Sequence, residues 1–119
     1  MGLDMQFIGH IQHHCVSAPK SDDGFPVLAI DEELACWRKE SDLHEFILTW
    51  IDSHGPVAFD GHFSIDDLQA ITAALKANPK VGTEKRIVQF EKILGWLRKG
   101  GTGTQWPHRS VCYNASQGW

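Results

Sequence analysis

The sequence predicts an α+β fold. It indicates one compact domain over residues 1–119, with the N- and C-terminal strands in a small antiparallel sheet packed against three to four helices. Three observations support this prediction. The 119 residues, 42% of them hydrophobic, are enough to bury one core without disulfides. Both ends of the chain show the two-residue alternation of strands. The middle shows the three- and four-residue spacing of helices.

The first predicted element is a strand over residues 3–15. Leu3, Met5 and Phe7 share one face of this strand, as alternating apolar residues do. The alternation is then disturbed, which predicts a bulge or bend near Gly9. We therefore expect this strand to present one apolar face to the core.

A loop and then a helix are predicted to follow. Residues 17–25 are rich in Ser, Asp, Pro and Gly, as loops are. Asp31 can cap a helix, and Glu32 and Glu33 suit the positive end of the helix dipole. Ser41 is an alternative cap that would divide this segment into two helices. The apolar stripe of the segment contains Leu34, Trp37, His44, Ile47 and Ile51.

Two further helices are predicted beyond residues 57–63, which form a brief strand or a loop. Ser64 caps the first helix, with Asp67 three residues later as a weak capping box. Thr83 opens the second helix, which the glycines at 100 and 101 terminate. Each of these helices carries an apolar stripe that faces the core.

The last predicted element is a strand over residues 109–115, after a glycine-rich connector. Val111 and Tyr113 alternate with Cys112 along this strand. We expect the two terminal strands to pair side by side.

Composition excludes several classes of function. Eleven Lys and Arg against fifteen Asp and Glu give a net charge of −4, which argues against a protein that binds nucleic acid through the phosphates. The amino terminus lacks the pattern of a secretory signal, and no apolar run approaches the roughly 20 residues of a membrane span. The three cysteines are too scattered for a disulfide framework. We therefore expect a cytoplasmic protein with reduced thiols.

A histidine-rich cluster supports an alternative function, that of a small metal-binding (zinc-type) enzyme or sensor. Imidazole and thiolate are ligands that suit zinc. In a strand, alternation would place at most two of these ligands on each face, so a third would have to come from Asp60, His62 or His108. A polar strand end or loop is the competing interpretation. The candidate ligands are His10, His13, His14 and Cys15.

No catalytic motif is recognised elsewhere. Asp60 and His62, with His54 nearby, would suit acid–base chemistry, but a turn before a helix uses the same residue types. The glycine-rich run after residue 99 follows a helix, so the helix presents carbonyls to it rather than the N–H groups that bind phosphate. We therefore expect no enzymatic activity.

Three segments resemble a family of small, generally uncharacterised proteins of phages, prophages and bacteria. They are residues 1–5 (Met-Gly-Leu-Asp-Met), 37–39 (Trp-Arg-Lys) with 43–44 (Leu-His), and 113–116 (Tyr-Asn-Ala-Ser). The resemblance covers about a third of the chain. It implies a mobile-element setting but no catalytic residue or cofactor. Small acidic proteins of that setting commonly bind and inhibit host machinery, including CRISPR effectors.

The expected function is therefore a non-enzymatic protein-interaction module of phage or prophage type that inhibits a host defence complex. Exposed carboxylates would face the Lys/Arg surface of a host protein, and exposed Trp side chains would add contact area. Neither nucleic acid nor a membrane is an expected partner. A homo-oligomer with Trp119 in the contact is a further hypothesis. The candidate interaction residues are Asp22, Asp23, Asp31, Glu32, Glu33, Trp106 and Trp119.

Overall fold

The computed structural model describes residues 2–54, 62–101 and 105–118. Within these ranges the chain forms four strands and three helices, which confirms the predicted α+β class. In chain order the elements are β1 (Gly2–Gln12), β2 (Ala29–Arg38), α1 (Ser41–His54), β3 (His62–Phe63), α2 (Ile65–Lys76), α3 (Glu84–Arg98) and β4 (His108–Gly118).

The sheet is antiparallel, with the strand order β2-β1-β4-β3. β1 and β4 pair over their whole length, from Gly2 opposite Gly118 to Gln12 opposite His108. This pairing confirms the prediction that the terminal strands lie side by side. β2 flanks β1 on one side as a long outer strand, and the two-residue β3 flanks β4 on the other.

The helix predicted to begin at Asp31 is wrong, because residues 29–38 form β2. Ala35 and Trp37 are buried whereas the next residue after each is exposed, which is the two-residue period of a strand. The register with β1 shifts by one residue between Phe7 and Ile8. The extra residue on β2 produces the three-residue spacing between Leu34 and Trp37 that resembles a helical stripe.

The alternative helix start at Ser41 is correct. Lys39 has a φ of 59°, a left-handed conformation that ends the strand. Its backbone N–H donates to the carbonyl of Leu3 (2.8 Å). Ser41 then begins α1, whose buried residues are Leu43, Ile47 and Trp50.

β1 is shorter than predicted, since it ends at Gln12 and not at residue 15. The irregularity predicted near Gly9 is present as the register shift between Phe7 and Ile8, with the extra residue on β2. Gly9 itself has a further role. The indole of Trp96 packs so closely on Gly9 that a Cβ atom there would lie 2.5 Å from the ring. Only glycine permits this close approach of α3 to the sheet.

The caps predicted for the last two helices are confirmed. Ser64 accepts a hydrogen bond from the Asp67 N–H (3.1 Å), and the Asp67 carboxylate accepts one from the Ser64 N–H (3.0 Å). This reciprocal pair is a capping box at the start of α2. The hydroxyl of Thr83 accepts from the N–H of Arg86 at the start of α3.

The core lies between one face of the sheet and the helices. Phe7 is fully buried at its centre, with its ring against those of Trp37, Phe63 and Phe90 at centroid distances of 5.4 to 5.9 Å. These edge-on arrangements are favourable for aromatic pairs. The remaining large, fully buried side chains are those of Met5, Leu43, Ile47, Leu68, Ile71, Leu75, Ile93 and Val111.

Two polar contacts fix α1 in this arrangement. Burial raises the pKa of Tyr113 above its ordinary value, and its phenol oxygen shares a hydrogen bond with His44 Nδ1 (2.7 Å). The buried guanidinium of Arg86 donates to the carboxylates of Glu40 (2.8 Å) and Asp42 (2.9 Å). The hydrogen bond from Arg86 holds the pKa of Asp42 below its ordinary value.

Candidate functional site

The connection between β1 and β2, residues 13–28, extends the β1–β2 hairpin beyond the sheet. At its base, the His13 N–H donates to the Leu28 carbonyl (2.8 Å). Near its tip, the Ser21 N–H donates to the Phe25 carbonyl (2.8 Å). The backbone of this connection is therefore ordered by its own hydrogen bonds. We refer to residues 13–33, the connection and the start of β2, as the acidic hairpin.

Large apolar side chains are exposed along the acidic hairpin. Val16 is 86% exposed and Phe25 is 71% exposed, and both lie in the connection. Leu28 and Ile30 follow at 46% and 37%. An ordered segment that leaves several apolar side chains in water is typical of an interaction site.

The same segment holds the acidic excess of the chain. Residues 13–33 carry five carboxylates and one lysine, a net charge of −4, whereas the rest of the chain has ten acidic and ten basic residues. Asp22 and Asp23 are exposed in the turn near the tip. The acidic hairpin therefore combines a net negative charge with exposed apolar surface.

The predicted carboxylates of β2 are positioned by their neighbours. Asp31 Oδ1 lies 2.5 Å from His10 Nδ1 on the adjacent strand. Glu32 Oε2 accepts a hydrogen bond from Trp96 Nε1 (2.7 Å), which ties the base of the hairpin to α3. Glu33 lies opposite Ile8 and is exposed. The strand places Asp31 and Glu33 on one face and Glu32 on the other.

Of the two predicted interface tryptophans, one lies beside the hairpin. Trp106 is 38% exposed, its ring stacks on His108 (3.9 Å between centroids), and it lies 5.5 Å from the ring of His14. It therefore flanks the base of the acidic hairpin. Trp119 lies outside the described residues.

The candidate metal ligands do not converge in the described part of the chain. β1 ends at Gln12, so the strand predicted through residue 15 is too long: residues 13 and 14 follow β1 without regular secondary structure, and Cys15 begins a turn. His10 is engaged with Asp31, and its ring lies 6.4 Å from that of His62. Among residues 2–54, 62–101 and 105–118, no three His, Cys, Asp or Glu side chains are grouped to hold a metal ion. Asp60 lies outside these ranges.

The sheet face opposite the helices is polar. A groove of about 510 Å³ crosses it between β2 and β4, with Gln6 at its floor and Cys36 and Asn114 at its sides. Arg38 Nε donates to Asp4 Oδ1 (3.0 Å) at one end of this groove. Further along β1 and β2, the same face of the sheet carries His10 and Asp31, which lie opposite each other.

Sequence reasoning missed the exposed apolar residues of the hairpin and the edge position of β2. The apolar signal was available, since Val16 directly precedes the segment of loop composition, Phe25 ends it, and neither contributes to a periodic stripe. The edge position was not available, because strand order depends on contacts between residues distant in sequence.

Comparison of the chain with protein-family models, with curated proteins and with solved structures finds no match. In the described part of the chain, no helix combines the length and the apolar content needed to cross a membrane.

Proposed function

We propose that this chain is a non-enzymatic protein-interaction module that binds a basic surface of a protein partner through the acidic hairpin. One observation carries the proposal: the net charge of −4 and the exposed side chains of Val16 and Phe25 lie in the same ordered segment. The partner surface that complements this segment carries Lys and Arg around an apolar depression.

The two components of the hairpin contribute differently to binding. The carboxylates accelerate encounter with a basic surface and disfavour acidic partners, and salt weakens this contribution. The apolar side chains supply affinity by leaving water, at roughly 25 cal/mol per Å² of buried apolar surface. Because the backbone is already held by hydrogen bonds, little chain ordering opposes binding.

The resemblance to phage and prophage proteins supports a narrower form of the proposal. In this form the partner is a host defence complex in the host cytoplasm, such as a CRISPR effector, whose Lys/Arg surface normally holds nucleic acid. A carboxylate-rich hairpin would occupy that surface and exclude the phosphate backbone. Nucleic acid itself would be repelled by the hairpin.

A capture experiment tests the proposal. The immobilised protein is incubated with host lysate at 50 mM and 500 mM salt, beside the variant Asp22→Asn/Asp23→Asn/Glu33→Gln. We expect the unmodified protein to capture a protein partner at low salt only. The variant should capture about tenfold less of this partner, or less still. The matched control, Glu45→Gln/Asp66→Asn/Glu91→Gln, removes three exposed carboxylates of the helices. It should capture as much partner as the unmodified protein does. Equal capture by both variants, or no partner at low salt, would contradict the proposal.

A further inference from the structure

The outer edge of β2 has backbone groups that face away from the sheet. Within the described residues only β1 pairs with β2. Residues of an antiparallel pair alternate between those bonded to the neighbouring strand and those whose N–H and C=O point away from it. The hydrogen bond from His13 to Leu28 sets this alternation, so Ile30 and Glu32 are bonded to β1. The outward-facing residues of this segment are Ala29, Asp31 and Glu33.

On the polar face of the sheet, the side chains at this edge favour a positively charged partner. Asp31 and Glu33 lie opposite His10 and Ile8, so both project from the polar face of the sheet. A strand added at the edge would place alternate side chains directly beside these two carboxylates. Lys or Arg at every second position is therefore the complementary pattern for that face.

On the face toward the helices, the same edge favours an apolar side chain of the partner. A pocket of about 270 Å³ lies between β2 and α3 and is lined by three apolar side chains and three charged ones: Leu34, Ile93, Trp96, Glu32, Glu33 and Lys92. The side chain of an added strand that points toward the helices would enter this pocket. Its three apolar side chains suit Val or Ile, residues that also favour extended backbone.

Building on the proposed function, we propose that the β2 edge from Ala29 to Glu33 binds an extended segment of the protein partner as an added strand. In that segment Lys or Arg alternates with β-branched apolar residues. The outward N–H and C=O groups supply affinity, and the side chains of the two faces supply specificity. A second copy of this chain is disfavoured as the occupant, because pairing through residues 29–33 would set carboxylates of one copy against those of the other.

Two peptides of identical composition test the proposal. One alternates, Lys-Val-Lys-Val-Lys-Val-Lys, and the other is blocked, Lys-Lys-Lys-Lys-Val-Val-Val, both with neutral ends. By fluorescence anisotropy at 50 mM salt, we expect the alternating peptide to bind about tenfold more tightly than the blocked one. Glu33→Gln should weaken binding of the alternating peptide, and the matched Glu45→Gln should not.

Amide hydrogen exchange distinguishes strand addition from simple charge attraction. On adding the alternating peptide, we expect the amides of Asp31 and Glu33 to exchange about tenfold more slowly, because each gains a hydrogen-bond acceptor. The amides of Ile30 and Glu32 already face β1 and should change little. A peptide methylated at alternate backbone nitrogens keeps its charge and should lose the affinity.

Each contrary outcome has a defined meaning. If both peptides bind equally and the amides of Asp31 and Glu33 are unaffected, strand addition is overturned while the acidic hairpin remains a charge-dependent binding surface. If neither peptide binds, strand addition is also overturned, and the lysate experiment decides the proposed function separately. If these amides are slow without peptide and the protein sediments as a dimer, the edge belongs to a second copy.

Discussion

The core around Phe7 and the acidic hairpin are both ordered, but by different forces. Phe7 is fully buried and contacts aromatic rings from strands and a helix. Phe25 is 71% exposed, and its backbone carbonyl accepts a hydrogen bond from Ser21. Burial of side chains stabilises the core, and backbone hydrogen bonding orders the acidic hairpin.

This difference separates stability from recognition within one small chain. Substitutions in the core remove buried contacts and should lower the free energy of unfolding. Substitutions of exposed hairpin side chains remove no buried contact, so they should affect binding while leaving folding intact. Four substitutions test this separation, in order of decreasing expected effect on stability.

The largest effect is expected for Phe7→Ala. The change leaves a cavity at the centre of the aromatic cluster and should lower the free energy of unfolding by about 3–5 kcal/mol. Urea denaturation followed by circular dichroism measures it. Phe7→Leu is the milder control, and a loss below 1 kcal/mol for Phe7→Ala would show that the core is not centred on this residue.

Arg86→Met should lower stability by about 2 kcal/mol, since Met fills the buried space but leaves Glu40 and Asp42 without their hydrogen-bond donor. Because the folded pKa of Asp42 is lowered, the contact stabilises the protein above about pH 4 and is lost as the pH falls through the folded value. Acid titration of the urea midpoint should therefore be steeper in the unmodified protein than in Arg86→Met. Parallel profiles would contradict this role.

Gly9→Ala should lower stability by about 1–3 kcal/mol. The new methyl group would lie within 2.5 to 2.8 Å of Trp96 ring atoms, so α3 must shift or the indole must rotate. The hydrogen bond from Trp96 to Glu32 would then lengthen at the base of the hairpin. Gly95→Ala is the control, because a Cβ there meets no atom within 4 Å. An equal effect of the two substitutions, read as a shift in Tm, would refute the close approach.

Phe25→Ala is expected to change the free energy of unfolding by no more than about 0.5 kcal/mol. Capture of the partner from lysate should nonetheless fall about tenfold, because the exposed ring supplies apolar contact. Val88→Ala on α3, a substitution at a 45% exposed residue, serves as the control for loss of exposed apolar surface. A destabilised Phe25→Ala would mean that the hairpin is held by its side chains after all.

Most of the fold could be predicted from the sequence where a local signal was strong. The capping box at Ser64 and the N-cap at Thr83 fixed the starts of α2 and α3. The alternation of Val111 and Tyr113 indicated β4. These signals depend on neighbouring residues alone, so they do not require knowledge of the tertiary structure.

β2 could not be predicted, because its bulge imitates a helical period. Leu34 and Trp37 stand three residues apart, and Asp31 resembles a cap. Pairing with β1 overrides this local pattern. The same limitation applied to the site: the carboxylates of the hairpin were visible in the sequence, but the outward-facing edge at Asp31 and Glu33 depends on strand order.

Site-specific photocrosslinking tests whether the acidic hairpin is the surface that contacts the partner. A benzophenone side chain is introduced at Phe25 or, in a separate protein, at Val88, and each protein is irradiated in host lysate at low salt. Both positions are exposed and apolar, but only Phe25 lies in the acidic hairpin. We expect a protein adduct at position 25 that disappears at high salt, and none at position 88. Equal adducts at both positions, or an adduct at position 88 alone, would contradict it.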